Sequence, residues 1–265
     1  MRFMFRNMIA NISLMILLAL GHRGIAGPGT NGSVQCENKQ EQTACIDSIL
    51  EQLTKTTSQL KSYHSKVEYL FSQPLFESET LRKGVLYYDK NGAKSYLRLD
   101  FRTLRQDQDL EQKYIEHYIF DGTWLTHIDY EVKSVKLRQL AEVNEPLDAF
   151  ELAGRVFPVV GFRQTEDLKK QFEISLIAET PEKKDYIGLL LKTRADSIYK
   201  DDYKSVELWI DKKSYLPGQL QAVSVENDIY RFKLLAAEVN KGIDKKIFEV
   251  RIPEGFDKPE IIPLK

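Results

Sequence analysis

The sequence predicts a mainly β, α+β chain: one domain built on a large antiparallel sheet with two or three helices. Three observations carry this. From Ser65 onward, apolar residues recur at period two through many short segments. Asn91-Gly92 and Asp121-Gly122 supply the residues that tolerate positive φ at both central positions of a two-residue hairpin turn. The predicted strands follow one another at even spacing without alternating helices, which argues against parallel βαβ units.

The 265-residue chain is 42% hydrophobic and 29% charged, enough to bury a sizeable core and stay soluble. All four methionines lie at positions 1, 4, 8 and 15. Arg2 and Arg6 precede an apolar stretch from Met8 to Leu20, followed by Gly24-Ile25-Ala26. This layout predicts a signal peptide over residues 1–26, cleaved near Ala26, and export of the remainder. The apolar run is too short to span a bilayer, which takes about 20 residues. Loss of Arg2, Arg6 and Arg23, three positive charges taken from a net −1, leaves a mature charge of −4.

Residues 27–42 read as a flexible polar arm and 43–265 as the folded domain. Ile46, Ile49, Leu50, Leu53, Thr57 and Leu60 recur at helical spacing, which predicts an amphipathic helix over 43–62. Val67, Tyr69 and Phe71 then alternate with Lys66, Glu68 and Ser72. Further strands are predicted at 80–89, 94–102, 112–120, 123–130 and 132–140. Leu147, Phe150 and Phe157 predict a short apolar helix within 146–162, with another turn or two over 165–171. Strands resume at 172–178, 186–193, 204–211, 217–225, 230–238 and 247–252.

Cys36 and Cys45 are the only cysteines, and an even pair in an exported chain predicts a disulfide. Two cysteines do not make a zinc site. The lysines are interleaved with acids, as in PEKKD and IDKK, which is a solvated face and not a phosphate-binding stripe. Nucleic acid is therefore excluded as the expected partner. The chain has no G-x-S-x-G elbow, no H-E-x-x-H, no phosphate loop and no dinucleotide fingerprint. No catalytic residue and no cofactor are assigned.

His117, Asp121, His127 and Asp129 cluster in sequence and raise the question of a metal or acid–base site. A two-residue loop at Asp121-Gly122 pairs Phe120 with Thr123, Ile119 with Trp124, His117 with Thr126 and Ile115 with Ile128. Alternation then puts His117 with Ile115, Ile119, Trp124 and Ile128 on one face, and His127 with Glu116, Tyr118, Leu125 and Asp129 on the other. The two histidines cannot share a metal in that register, and Asp121 is a turn residue. The hairpin reads as the floor of something that binds.

Several segments, in their order, resemble the LolA family of periplasmic lipoprotein carriers and its larger lipoprotein-sorting relatives. They are SYHSKVEYLFSQ, GVLYYDKNG, YIFDGTWLTHI, YIGLLLKT, SVELWIDKKSYLPGQL and LAAEVNKGIDKKIFEVRIPEGF. In the last of these Asn240, Ile243, Asp244, Phe248, Pro253 and Gly255 follow the family's closing pattern, and the resemblance spans roughly residues 45–260. It implies an incomplete antiparallel β-barrel whose concave apolar face is covered by helices. It also implies a soluble, monomeric carrier that takes acyl chains of lipoproteins or lipids from an inner-membrane transporter to an outer-membrane receptor. The lipid-cavity lining expected on this basis is Val67, Tyr69, Phe71, Leu97, Leu99, Phe101, Ile115, Ile119 and Trp124. Its helical cover is Ile49, Leu53, Leu60, Phe150 and Phe157. Where the best-known carriers place a lid-latching arginine before a proline, this chain has Lys90 and no proline, so Lys90 is expected to be a solvated hairpin residue. Two other readings stay open: an envelope sensing or scaffolding module of the same fold that binds a protein partner, and a secreted hydrolase without a recognised motif.

Overall fold

The computed structural model describes residues 39–92, 94–149 and 165–264. The proposed leader, most of the arm, Cys36, Phe150 and Phe157 lie outside the described residues. The first element is helix α1, Lys39–Ser58. It begins and ends before the predicted 43–62. At its last turn Thr54 and Thr57 bond back to the Leu50 and Leu53 carbonyls, and Ser58 to that of Lys55. Such side-chain bonds compete with the helical ladder and favour an end. Leu60, buried just past the helix, joins the core from the connector.

The strands are β1 (Ser62–Gln73), β2 (Ser78–Asn91), β3 (Lys94–Gln106), β4 (Gln112–Phe120), β5 (Trp124–Asp129) and β6 (Ser134–Gln139). After helix α2 (Thr165–Gln171) come β7 (Phe172–Ile177), β8 (Tyr186–Thr193), β9 (Tyr203–Asp211), β10 (Pro217–Ser224), β11 (Ile229–Val239) and β12 (Glu260–Ile262). All twelve form one sheet in the order β12-β6-β5-β4-β3-β2-β1-β11-β10-β9-β8-β7. Neighbours are antiparallel except β12, which pairs parallel to β6. β12 and β7 do not pair with each other, so this is an incomplete antiparallel β-barrel with few helices. The chain closes the middle of the sheet by pairing β1 with β11 across its two halves.

Two details differ from the sequence reading. Residues 247–252 do not form a strand: Lys245–Phe248 is a 3-10 turn capped by Asp244, whose carboxylate accepts from Lys246 N. Phe248 is buried against Tyr96, with ring centroids 5.7 Å apart. The β4–β5 hairpin also has a wider turn than two residues. Phe120 pairs with Leu125, Ile119 with Thr126, Tyr118 with His127 and His117 with Ile128. The cause is Asp121: its carboxylate accepts from Thr123 N and Trp124 N, which draws residues 121–124 into the turn. The register of β5 against β4 moves by two residues, an even number, so the two faces keep their composition.

The tail motif has a structural role. Asn240, at φ 52°, accepts from Lys61 N and Ser62 N through its Oδ1, and its own N–H donates to Ser62 O. The segment after β11 is thereby fixed to the start of β1. From there it runs along the outer face of β3 to β6, where Phe256 packs on Tyr130.

Candidate functional site

Alternation along each strand sends one set of side chains inward and the other outward. The inner set forms a single apolar cluster with contributions from β1–β5, β7–β11, α1 and α2. Its centre is Val67 and Tyr69 on β1, Leu86 and Tyr88 on β2, Leu97, Leu99 and Phe101 on β3, and Tyr118 and Phe120 on β4. From the other half come Leu189, Val206, Leu208, Leu220 and Phe232. Helix α1 lays Ile46, Ile49, Leu50 and Leu53 on this face, a spacing that keeps all four on one side of the helix. The amphipathic pattern in the sequence thus ends as a cover over the sheet.

Val67, Tyr69, Leu97, Leu99 and Phe101 come together on this face with Ile49, Leu53 and Leu60, and Phe71 packs at its margin. Ile119 does not join them. It forms a second cluster with Ile128 and Val135, packed against Tyr130, Leu137 and Phe256. By alternation Ile115 and Trp124 share that outer side. The nine residues expected to line one cavity are therefore divided between the two faces of the sheet. The C-terminal segment accounts for this: it covers the outer face of β3 to β6, so that face is apolar as well.

The inner face of the hairpin carries Glu116, Tyr118, Leu125 and His127, and it holds a buried polar group. The Tyr118 hydroxyl donates to Glu116 Oε1 at 2.5 Å, and His127 Nε2 donates to the same oxygen at 2.8 Å. The His127 ring stacks on Tyr118 with centroids 4.5 Å apart and planes at 3°. Glu116 Oε2 faces Arg82 Nε at 3.9 Å, too far for a hydrogen bond, and both atoms are shielded from solvent without a partner. Burial pushes the Glu116 carboxyl up. The His127 bond, the Arg82 charge and the Tyr118 hydroxyl together outweigh it and hold the group below the usual glutamate range. Burial and then the Glu116 charge push the Tyr118 hydroxyl well above its ordinary value, so it stays a donor.

His117, on the outer face, has its own carboxylate. Arg98 donates through Nε to Asp100 at 2.7 Å and through Nη1 to Ile247 O at 2.7 Å, and its Nη2 lies 3.3 Å from His117 Nδ1. Burial lowers the His117 value, Asp100 opposes this and Arg98 adds to it, which favours the neutral ring. Arg98, His117 and Ile247 edge a cavity of about 510 Å³ under the C-terminal segment, lined also by Ile119, Tyr130 and Arg251. His117 and His127 lie on opposite faces and share no ligand. Glu116, His127 and Asp129 do approach one another, with ligand atoms within 4.8 Å. A dication there would face the Arg82 guanidinium, and Asp129 Oδ1 already accepts from Glu131 N and Val132 N.

Lys90 is exposed near the hairpin end of β2, as expected, and it also makes an ion pair. Its Nζ is 3.3 Å from Asp148 Oδ2. The same segment is held by Leu147 N donating to Gly122 O at 2.8 Å and Ala149 N donating to Ser95 Oγ at 2.6 Å. Leu147 and Ala149 enter the inner cluster. The chain after β6 is thus anchored over the β2–β3 end of the face. Neither Arg82 nor the segment anchor was identified from the sequence. Arg82 carries no local signal, because its partners lie on β4 and are set by strand pairing.

No family model matches the chain, and no curated protein matches it. Solved structures do match. One is the Pseudomonas aeruginosa MucA/MucB complex, at 11% identity and TM-score 0.47, covering 78% of this chain and 61% of that one. An uncharacterized conserved protein from Thermus thermophilus matches at 11% identity and TM-score 0.46, covering 83% and 99%. A putative outer membrane lipoprotein-sorting protein domain from Vibrio parahaemolyticus matches at 10% identity and TM-score 0.37, covering 76% and 94%. The chain spans under two thirds of the MucB chains it matches, 60% to 63%. At these identities the likeness is one of fold.

Proposed function

We propose that this chain is an exported, soluble carrier that shields the acyl chains of lipids or lipoproteins on its concave face and moves them toward the outer membrane. The observation that carries the reading is the continuous apolar inner face, spanning both halves of an open sheet and covered by an amphipathic helix. An open sheet can part from its cover without breaking strand pairing, because the helix meets the strands through side chains only. Each acyl methylene taken from water contributes about 0.8 kcal/mol, so partial insertion of one chain gives useful affinity. A carrier also has to release its cargo, which favours a shallow open face over a closed cavity. Among the described residues no helix is long and apolar enough to cross a membrane.

A second reading, a sensing or scaffolding module that binds a protein partner, is favoured by a different observation. β1, β3, β5 and β8 all run in the same direction in the sheet. The connections that follow them expose Leu75 and Phe76, Leu110, Val132 and Ile198 at one end of the sheet. Displacement of a fluorescent acyl probe, with mass spectrometry of lipid co-purifying from the native envelope, separates the two. The carrier reading expects probe binding that Phe71→Asp weakens strongly and Lys133→Asp leaves unchanged. A wild-type protein that binds neither probe nor native lipid, yet holds a protein partner, overturns it in favour of the second.

A further inference from the structure

Resting on the reading of the concave face as an acyl-binding surface, we infer that Arg82 is a headgroup site, so that the preferred ligand is an anionic amphiphile. Arg82 points to the inner face: its cross-strand partners are Tyr69 on β1 and Leu104 on β3, and Tyr69 is wholly buried in the apolar cluster. Its side chain is only 24% exposed, yet its guanidinium makes no hydrogen bond among the described residues. Nε is shielded from solvent without a partner, and neither Nη group bonds to a described residue. A half-buried cation of this kind is normally paired and hydrogen-bonded.

The surroundings hold the fork without satisfying it. The guanidinium carbon lies 5.5 Å from the centre of the Tyr114 ring, a cation–π contact that fixes its plane. Glu116 is nearest on the Nε side, at 3.9 Å, and its Oε1 is already taken by Tyr118 and His127. The edge bearing the two Nη groups is left for a two-pronged bond to an oxyanion, the geometry in which arginine recognises carboxylate and phosphate.

The position in the sheet supplies the rest. One row inward from Arg82 are Phe101 and Val67, and beyond them Leu99 and Leu97, all apolar and buried. One row outward, beside Phe71 on β1, are Thr80 and Gln106, whose side chains bond to each other at 2.7 Å at the margin of the face. Arg82 therefore marks the boundary between an apolar floor and a polar rim. An acyl chain lying on the floor with its head toward the β1–β2 turn brings its charge to this side chain. The shared chemistry is an oxyanion on an apolar chain, from either a carboxylate or a phosphate.

The test compares oleate, 1-oleoyl lysophosphatidate and uncharged monoolein, each below its critical micelle concentration, by displacement of a neutral acyl probe from the full exported chain. Wild type is expected to bind at least one anionic ligand about tenfold to a hundredfold more tightly than monoolein, the range for a charge-assisted bond. Which anion it prefers distinguishes carboxylate from phosphate. Arg82→Gln should bring the ratio of anionic to neutral affinity to about one. Arg82→Gln with Glu116→Gln removes both charges, so no carboxylate is left buried and unpaired, and decides the matter if the single variant does not fold. Equal wild-type affinity for all three overturns the headgroup site but leaves the acyl-binding face standing. Binding of none of the three overturns the reading of the face itself.

Discussion

Replacing Phe101 by alanine tests whether the concave floor is a packed surface. Phe101 is wholly buried, with its ring centroid 6.4 Å from those of Tyr69 and Tyr118. Loss of a buried phenylalanine costs about 3–5 kcal/mol, the sum of lost transfer free energy and the cavity left behind. The upper part of that range applies here because the site is poorly able to collapse. The cross-strand neighbour on β2 is Gly84, which has no side chain to fill the gap, and a Cβ there would lie 2.0 Å from Asp100 O. The neighbour on β4 is Glu116, held in place by Tyr118 and His127. Urea unfolding at constant m-value should show the loss as a lower midpoint. Trp124→Ala, on the half-buried outer side of the hairpin, should cost less, under about 2 kcal/mol. A Phe101→Ala cost below about 1 kcal/mol, or one no larger than that of Trp124→Ala, would refute the assignment of the odd positions of β3 to a close-packed floor.

Gly84→Ala should destabilise by at least about 1–3 kcal/mol through overpacking at the β2–β3 irregularity, measured by the same denaturation. Glu116→Gln should cost roughly 1–3 kcal/mol at neutral pH. Because the folded Glu116 value is depressed, its stabilisation is present above the ordinary glutamate range and is lost as pH falls through the folded value. The gap between wild type and variant should therefore close on acidification below about pH 4, and a gap that persists at lower pH would sink the account. A Cys36–Cys45 disulfide in the exported protein would leave no thiol reactive in unreduced, unfolded chains. Two labelled thiols per chain would exclude it.

The sheet was legible in the sequence because period two is imposed by backbone geometry, wherever the strand lies. The β4–β5 turn falls at Asp121-Gly122 as expected and the β2–β3 turn at Gly92, but Asn91 ends β2 paired with Lys94 and is not a central turn residue. Their widths were not equally legible. Asp121 satisfies two backbone donors with one carboxylate, and that local bond draws four residues into the turn where the dipeptide preference expects two. β12 left no trace in the pattern because it is three residues long and pairs with β6 across more than a hundred residues of chain. The stretch at 247–252 reads as a strand because Ile247, Phe248, Val250 and Ile252 are apolar. Asp244 instead caps a 3-10 turn there, which places Phe248 on Tyr96.

The face assignment shows where periodicity stops. In the β4–β5 hairpin Ile115, Ile119, Ile128 and Trp124 form one apolar series, while Tyr118, Phe120 and Leu125 form another that is interrupted by Glu116 and His127. Ordinary polarity counting selects the first series as interior. The structure selects the second, because α1 covers that side and the C-terminal segment covers the other. Two apolar faces on one hairpin mean two covers, and sequence pattern cannot say which cover is which. The polar residues that made the inner series look solvated are the informative ones. A face that only had to pack would lose little if Glu116, His127 and Arg82 were apolar, since burying charges costs several kcal/mol that their attraction only partly returns. Here the carboxylate is satisfied on one oxygen only, and the buried Nε of the arginine has no partner. An incompletely satisfied ionic group beside a largely apolar floor is costly as architecture. It becomes favourable when an oxyanion completes it, which is why Arg82, and not the aromatic stripe, is the residue whose substitution tells the most about what this face binds.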